Sequence, residues 1–222
     1  MKIQRPSYEI WLQKPGELGI YQQIERAGRV CYKSEDYITE DGESAKKFVA
    51  MLIRNGHEAM IEHSFLSVKF TVDRGVSHEL VRHRIASFAQ ESTRYCNYAK
   101  DKFGAECAFI DLEPGIMLDN KMKKMSAEEI ALVLAEWKSA MEDAERHYMK
   151  LLELGATPQI ARAVLPNSTK TEITVSANYR EWRNFFKLRV PADVHPQMRE
   201  VTIPLLKELK GMIPVIFDDI EV

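Results

Sequence analysis

The sequence has few cysteines, no long apolar run and almost no imbalance of charge. Its three cysteines, Cys31, Cys96 and Cys107, are an odd, widely spaced set without a CxxC pair. That spacing argues against a disulfide framework and is typical of reduced thiols. The opening residues MKIQRPSYEI lack the apolar segment of a signal peptide, and no run approaches a membrane span. We therefore expect a cytoplasmic protein with no membrane partner.

The chain also lacks a basic excess and the usual nucleotide-binding loops. Its formal net charge is −2, which argues against a general nucleic-acid binder. Neither GxGxxG nor GxxxxGK[ST] occurs, so neither a Rossmann turn nor a P-loop can hold a phosphate. An anion site must therefore come from charge concentrated locally. Two such concentrations are present: Arg82, Arg84 and Arg94 form one, and Arg180, Arg183 and Arg189 form the other.

No repeat or linker-like tract divides the 222 residues, of which 45% are hydrophobic. This composition predicts one domain over 1–222, with a core large enough to be stable without disulfides or bound metals. Apolar periodicity and capping signals favour an α+β fold, with helices packed on a mixed, mainly antiparallel sheet. The predicted strands are 64–72 and 171–178. The predicted helices are 17–32, 43–55, 78–84 capped by Ser77, 127–154 with a Ser126–Glu129 capping box, 157–164, 179–188, and a last helix from about Pro196, which Pro204 should kink.

The densest charge lies in RHRIASFAQESTRY, residues 82–95. If 78–84 is helical, Arg82 and Arg84 point to opposite sides and cannot hold one ligand from one face. If the chain beyond it is extended, Ser92 and Arg94 share a side. A hydroxyl beside a guanidinium suits a phosphate, since charge-assisted bonds to a planar fork are strong.

Other interpretations of these residues are simpler. The arginines could form solvated salt bridges with Glu79 and Glu91. A non-catalytic nucleotide- or RNA-binding protein would also use them for phosphates. Cys96 could be a nucleophile, although an isolated cysteine is more often a small buried hydrophobe. Two histidines of the NGHEAMIEH stretch are six residues apart, which misses the HExxH spacing, so we expect no metal site.

The order of residues favours a more specific identification. Arg82-His83-Arg84, then seven residues and Ser92, resembles the RHR-x7-S signature of the flavin-dependent thymidylate synthases, and the match continues through Arg94 and Tyr95. Three flanking segments are also similar to that family and follow its order: NGHEAMIEH (55–63), ARAVLP (161–166) and ANYREWRNFFKLR (177–189).

The resemblance implies a set of ligand-binding residues. Those expected to contact FAD are His57, Ala59, Arg82, His83, Arg84, Gln90, Asn178, Tyr179, Arg180 and Asn184. Those expected to bind dUMP are Glu79, Leu80, Val81, Arg82, Gln90, Glu91, Ser92, Thr93, Arg94, Arg162 and Arg189, with Ser92 and Arg94 near the phosphate and Arg162 supplied by another chain. The family role of Arg189 is to polarise the uracil ring. A guanidinium is no base at neutral pH, but it can stabilise charge developing on the pyrimidine.

The implied reaction is reductive methylation of dUMP to dTMP in a homotetramer whose sites are shared between subunits. The resemblance implies 5,10-methylenetetrahydrofolate as the carbon donor, and FAD, reduced by NADPH, as the hydride source. Three features depart from the family pattern. Ala59 replaces a hydroxyl residue, so any contact there is through the backbone, and Glu79 replaces a glutamine of some members. The segment RVPADVH (189–195) is longer, which leaves the role of His195 open.

Overall fold

A four-stranded antiparallel sheet with the order β2-β3-β6-β4 organises the molecule in the computed structural model, which describes residues 1–12 and 19–222. A parallel pair, β1 and β5, forms a second, two-stranded sheet. The strands are β1 (Lys2–Gln4), β2 (Ser7–Leu12), β3 (Phe65–Asp73), β4 (Ala86–Gln90), β5 (Ala108–Ile110) and β6 (Lys170–Asn178). The α-helices are α1 (Ile20–Tyr32), α2 (Glu43–Arg54), α3 (Arg74–Leu80), α4 (Glu113–Leu118), α5 (Ala127–Glu153), α6 (Pro158–Ala161), α7 (Tyr179–Arg189) and α8 (Pro196–Met212).

The α+β class and the mainly antiparallel sheet are confirmed. Both predicted strands are present with bounds that differ by one residue, and most predicted helices are present with similar bounds. The helix predicted over 157–164 is the short α6, Pro158–Ala161, followed by a 3₁₀ turn at Arg162–Val164. The first predicted helix, 17–32, is described from Ile20 onward, and residues 17 and 18 lie outside the described part of the chain. Ser126 and Glu129 form the capping box predicted for α5. None of the described helices is long and apolar enough to cross a membrane.

The prediction of a helix over 78–84 capped by Ser77 is wrong. The helix is α3, four residues earlier, and its cap is Asp73, whose Oδ1 accepts a hydrogen bond from the Val76 N–H at 2.6 Å. Asp73 ends β3 in an extended conformation, which is the backbone geometry of an N-cap. Ser77 instead lies buried inside the helix, where its hydroxyl donates to the Arg74 carbonyl.

The main core lies between the sheet and the helices that follow β3 and β6. Strand β6 alternates buried and half-buried residues along its whole length, as a strand with one covered face must. The buried side chains packed against this face come chiefly from α7 and α8: Trp182, Phe185, Phe186, Leu205, Leu206 and Leu209. A smaller cluster under α5 contains Cys107, Phe109, Met141 and Tyr148. Only Met141 and Tyr148 of the long α5 are buried.

The sheet register determines where the charged stretch lies. Helix α3 follows Asp73, the last residue of β3, which pairs with Lys170 at the beginning of β6. Strand β4 starts at Ala86, opposite Ala177 near the end of β6, and returns to Gln90, opposite Ile173. Helix α3 and residues 81–85 therefore lead the chain from the Lys170 end of β6 to its Asn178 end, and β4 runs back toward the Lys170 end. Residues 82–85 lie beside the start of α7, and residues 91–94 lie at the opposite end of β4, ~14 Å away at the usual rise per strand residue.

Candidate active site

Arg82, His83 and Arg84 lie beyond the end of α3, in the irregular segment that leads into β4. Both arginines are exposed, whereas His83 is buried. The helical argument that put the two arginines on opposite sides therefore does not apply. Neither guanidinium forms a hydrogen bond or an ion pair with any residue that the structure describes. The segment thus presents two unpaired cations to solvent and directs its histidine inward.

His83 connects this segment to α7. Its Nδ1 lies 3.1 Å from Oε1 of Glu181, and its Nε2 accepts a hydrogen bond from Nε of Arg189 at 3.0 Å. Because Arg189 can only donate, Nε2 must be unprotonated, and Nδ1 must carry the proton that is donated to Glu181. Phe185 packs edge-on against the ring. His83 is therefore a neutral, oriented link between Glu181 and Arg189.

The environment of His83 favours this neutral form. Burial lowers its pKa most; the Glu181 carboxylate raises the pKa in part, and the Arg189 cation lowers it. The result is a pKa below the ordinary 6.5. At neutral pH the ring is therefore an acceptor for Arg189.

Arg189, at the end of α7, is held from a second direction by Glu79. Its Nη1 donates to Oε2 of Glu79 at 3.0 Å and its Nη2 to the Glu79 carbonyl oxygen at 3.3 Å. The other carboxylate oxygen of Glu79 lies 2.8 Å from Nδ1 of His195. The Arg189 side chain is 20% exposed, and both terminal nitrogens keep an N–H that no described residue occupies. Arg189 is therefore a fixed cation whose remaining N–H groups can donate to a ligand.

His195, whose role the sequence left open, is thus placed next to the predicted pyrimidine-binding arginine. The longer segment 189–195 returns toward α3, because the Val194 N–H donates to the Pro191 carbonyl and His195 then starts α8. His195 and Glu181 were missed as members of this cluster. The Asn178-to-Glu181 spacing is a helix-start signal that points to Glu181 as an N3 residue, but nothing local pairs Glu181 with His83.

A groove of about 500 Å³ runs beside the start of α7. Its lining includes Ile85, which directly follows Arg84, and three residues predicted for the flavin: Asn178, Arg180 and Asn184. Arg180 is paired with Glu62 at 2.5 Å. The remaining lining residues are Glu58, Glu62, Glu181 and Lys187. Two segments about a hundred positions apart in sequence therefore meet at one surface groove.

Several residues assigned to the flavin by resemblance have another place in this chain. Tyr179 is completely buried against Phe217, so its side chain cannot reach a surface ligand in this conformation. Asn178 caps α7, with Oδ1 accepting from the Glu181 N–H at 2.8 Å. His57 is exposed and bonds to the Tyr32 hydroxyl at 2.6 Å. Ala59 is exposed on the turn that begins at Glu58, a groove residue.

Arg183, part of the second arginine concentration, is a structural residue. Its side chain is 2% exposed and contacts Glu58 at 2.9 Å, Asp219 at 2.6 Å and the Ile216 carbonyl. A buried guanidinium surrounded by acceptors in this way fixes α7 to the C-terminal segment. Of the three arginines at 180, 183 and 189, only Arg189 and Arg180 are placed where a ligand can reach them.

The stretch expected to bind the phosphate is a turn, and the prediction that Ser92 and Arg94 share a side of an extended segment is wrong. The Ser92 carbonyl accepts from both the Tyr95 and Cys96 N–H groups, which curls the chain. Thr93 is buried by this turn, and its hydroxyl accepts from Nη1 of Arg162 at 2.9 Å. Arg94 is exposed. Arg162 meets the turn within one chain, so this contact requires no second subunit.

The neighbouring predicted residues make internal contacts. Gln90 donates to Ser77 Oγ at 2.9 Å and to Thr171 Oγ1 at 3.2 Å. Glu91 accepts from Lys170 at 3.0 Å. Leu80 is buried in the core, and Val81 is 38% exposed. The side chains of Glu91 and Leu80 are therefore engaged within the protein.

The structure bears on two remaining alternatives, a nucleophilic Cys96 and a metal site. Cys96 is half-buried, and burial, followed by the Glu91 carboxylate, raises the pKa of its thiol, which disfavours the reactive thiolate. Among the described residues, no group of three histidine, cysteine or acidic side chains could hold a metal ion.

Comparison with known proteins places this sequence in a family. The family model described as thymidylate synthase complementing protein matches residues 18–215. A curated flavin-dependent thymidylate synthase from Corynebacterium aurimucosum is 34% identical over 204 residues, which cover 90% of this chain and 79% of that protein. The flavin-dependent thymidylate synthase from Mycobacterium tuberculosis strain H37Rv is 30% identical over the same shares.

A solved structure has the same fold. The crystal structure of a UMP/dUMP methylase, PolB, from Streptomyces cacaoi, bound with 5-Br dUMP, superimposes with a TM-score of 0.76. The match covers 98% of this chain and 96% of that one, at 24% sequence identity. At that identity the likeness establishes the shared fold and no more.

Proposed function

This chain belongs to the thymidylate synthase complementing protein family, and from that membership we propose that it is an enzyme, a flavin-dependent thymidylate synthase. Its substrate is dUMP and its product is dTMP. The carbon donor is 5,10-methylenetetrahydrofolate, and NADPH reduces the FAD. One observation carries the proposal: Ile85, which directly follows Arg82-His83-Arg84, lines a single groove with the start of α7, and Arg189 is fixed beside that segment by His83 and Glu79.

The residues around the groove fit a flavin dinucleotide. A volume of about 500 Å³ is within the usual range of cofactor clefts. Lys187 and Arg180 bring positive charge to a lining that also holds three glutamates, and the exposed Arg82 and Arg84 lie in the segment that leads to the lining residue Ile85. The amides of Asn178 and Asn184 can bond to a ring or a ribose. FAD, when bound there, supplies the redox chemistry. Arg82, Arg84, Asn178, Arg180 and Asn184 would hold it, and Arg180 would do so with its charge balanced by Glu62.

The contribution of Arg189 follows from its contacts. Glu79 and His83 fix its orientation before substrate arrives, so no reorganisation is needed when negative charge develops on the pyrimidine. The remaining N–H donors can bond to a uracil carbonyl oxygen. Arg189 keeps its proton throughout, because a guanidinium is not deprotonated at working pH. His83 and Glu79 are positioning residues for this cation.

The phosphate of dUMP belongs at the turn 92–96. Ser92, Thr93, Arg94 and Arg162 bring hydroxyls and guanidinium groups together there. This turn lies at the far end of β4 from the groove. We therefore propose that a complete site takes the turn from one subunit and the groove from another, within a homotetramer. A single domain spanning residues 1–222 is part of the same proposal.

The activity is tested by tritium release from 5-labelled dUMP. With methylenetetrahydrofolate, FAD and NADPH present, we expect release together with dTMP formation; omission of FAD from flavin-free protein or of NADPH should abolish turnover. Release that is indifferent to both would contradict the proposal. Polyanion binding that falls steeply with salt, in the absence of turnover, would favour the RNA-binding alternative.

Arg189→Lys tests the central residue in the same assay. Lysine keeps the charge but cannot contact Glu79 and His83 through a planar fork. We expect kcat to fall about 100- to 1000-fold, as when a preorganised donor is removed. Arg146→Gln is the control, because Arg146 is exposed on α5 and pairs only with its helix neighbours. Near-normal kcat for Arg189→Lys would exclude the proposed role.

A further inference from the structure

His195 lies between the start of α8 and the end of α3, and the proposed function gives it no role. It is the N-cap of α8, and its carbonyl oxygen accepts from the N–H groups of Met198 and Arg199 at 3.0 and 3.1 Å. Its imidazole takes no part in the cap. The ring, which is 37% exposed, is therefore available for other contacts.

The N-terminal part of α8 is tied to the end of α7. Thr202 donates from Oγ1 to the Arg189 carbonyl oxygen at 3.0 Å. Nε of Arg199 donates to the Val190 carbonyl oxygen at 3.2 Å. Because both donors follow His195 within the same helix, these two contacts hold His195 in place relative to the backbone of Arg189.

The side chain of His195 contacts the same carboxylate that holds Arg189. Its Nδ1 lies 2.8 Å from Oε1 of Glu79, and Oε2 of Glu79 accepts from Nη1 of Arg189 at 3.0 Å. An ionised carboxylate can only accept, so Nδ1 of His195 is the donor. Both the protonated ring and the neutral ring in this tautomer supply that N–H, so the contact does not depend on the charge of His195.

This division of the Glu79 carboxylate affects what Arg189 can offer to a ligand. A carboxylate beside an arginine often forms a bidentate pair, in which each of its oxygens takes an N–H of the guanidinium. Here Oε1 of Glu79 is occupied by His195, and only Oε2 contacts Arg189. The remaining N–H groups of Nη1 and Nη2 of Arg189 are thus kept for a ligand.

We propose that His195 is a positioning residue, which holds Oε1 of Glu79 and so keeps Arg189 oriented with donors free for the reaction. The inference rests on the proposed function for the identity of that reaction, whereas the arrangement of the three side chains follows from their contacts. Without His195, the Glu79 carboxylate can rotate and take a second N–H from Arg189. The loss falls on alignment in the transition state more than on affinity for the substrate.

His195→Ala and His195→Asn test this role by tritium release. Alanine removes the donor, so we expect kcat to fall roughly tenfold while KM for dUMP changes less than about threefold. Asparagine can place an amide N–H near the position of Nδ1, so its kcat should stay within about threefold of that of the unaltered protein. His147→Ala removes an exposed histidine of α5 and should leave kcat unchanged.

A double-mutant cycle shows whether His195 acts through Glu79. We expect Glu79→Ala to lower kcat by itself, because Arg189 loses its carboxylate partner. In the Glu79→Ala background, His195→Ala should lower kcat by less than about twofold more, since the contact that it supports is already absent. If Glu79→Ala does not fold, the comparison of His195→Ala with His195→Asn decides the question.

Unfolding transitions of all variants separate positioning from a structural role. A merely structural His195 would lower the free energy of unfolding when replaced by alanine and leave kcat of the folded protein normal. That result would overturn the inference. An equal loss of kcat in His195→Ala and His195→Asn would also overturn it, as would the full roughly tenfold loss in the Glu79→Ala background.

A measurement without turnover separates this inference from the proposed function. The Nε–H signal of Arg189 is observed by NMR in arginine-labelled protein and assigned from its loss in Arg189→Lys. We expect it to shift in His195→Ala and to stay in place in His147→Ala. If the unaltered protein makes no dTMP but the signal shifts in this way, the proposed function fails and the positioning arrangement stands. An unchanged signal in His195→Ala would overturn the inference whatever the activity.

Discussion

At the scale of single residues, the site depends on a histidine that uses both ring nitrogens inside the protein. His83 donates to Glu181 and accepts from Arg189. Protonation of Nε2 would replace this acceptor with a donor facing the Arg189 cation. Protonation of Nε2 at low pH therefore destabilises the folded protein and also disturbs the placement of Arg189.

This gives a pH dependence with a definite sign. Because the pKa of His83 is lowered on folding, the unfolded chain binds the proton first as the pH falls. The stabilising contribution of the neutral ring is complete above the ordinary pKa of 6.5 and is lost progressively below it. We expect the free energy of unfolding to fall between about pH 7 and about pH 5, more in the unaltered protein than in His83→Asn.

Denaturant unfolding across that pH range measures this effect. Asparagine supplies a neutral donor and acceptor, so it keeps both contacts in principle but does not titrate. His147→Asn, at an exposed position on α5, is the control and should keep the slope of the unaltered protein. Equal slopes for the unaltered protein and His83→Asn would show that the ring is not held neutral by the fold.

At the scale of elements, the junction between β6 and α7 both begins a helix and lines the groove. Asn178 ends the strand and caps the helix through Oδ1, while its amide Nδ2 is left for another acceptor. The sequence-based assignment of Asn178 to the flavin and its role as a cap are therefore compatible. The two roles use different atoms of one side chain.

Substitutions at Asn178 can separate these roles. Asn178→Ser retains a capping oxygen and should leave the free energy of unfolding within a few tenths of a kcal/mol, whereas Asn178→Ala should cost about 1 kcal/mol. FAD affinity, measured by flavin fluorescence, should fall about tenfold in both, since both lose the amide donor. If Asn178→Ser binds FAD as tightly as the unaltered protein, the amide does not contact the flavin.

At the scale of the whole molecule, strand order keeps the turn 92–96 and the groove apart in one chain. Strand β4 lies between them and spans ~14 Å. Strand β4 is also a sheet edge, hydrogen-bonded only to β6 among the described strands.

Subunit mixing tests the shared site. Arg94→Gln and Arg189→Gln should each be nearly inactive, because each destroys one half of every site. If the halves come from different chains, hybrids refolded from an equal mixture should regain roughly a quarter of normal activity, since random assembly rebuilds that share of intact sites. Mixed Arg189→Gln and Arg189→Lys should regain none. No recovery in the first mixture would place both arginines in the same half.

The sequence by itself determined the elements whose signals are local and the family to which the chain belongs. The signals for strand β6 and for helices α5 and α7 lie in neighbouring residues, and each element was predicted to within one residue of its bounds. The motif at 82–84 and Ser92, with its flanks, identified the family because the spacing is linear in sequence. The α3 cap was predicted wrongly, because Asp73 and Ser77 are both acceptable caps and only the end of β3 selects one.

Only the tertiary structure decided which charged groups are paired and which are free. Arg183 and Arg180 look equivalent in sequence, but one is buried among Glu58, Asp219 and a carbonyl, while the other lines the groove. No ligand was assigned to Arg74 from the sequence, and Nη1 of its guanidinium is buried without a hydrogen-bond partner among the described residues. Pairing depends on contacts between residues far apart in the chain, such as Arg183 with Glu58, and the packing of the folded chain decides these contacts where local sequence cannot.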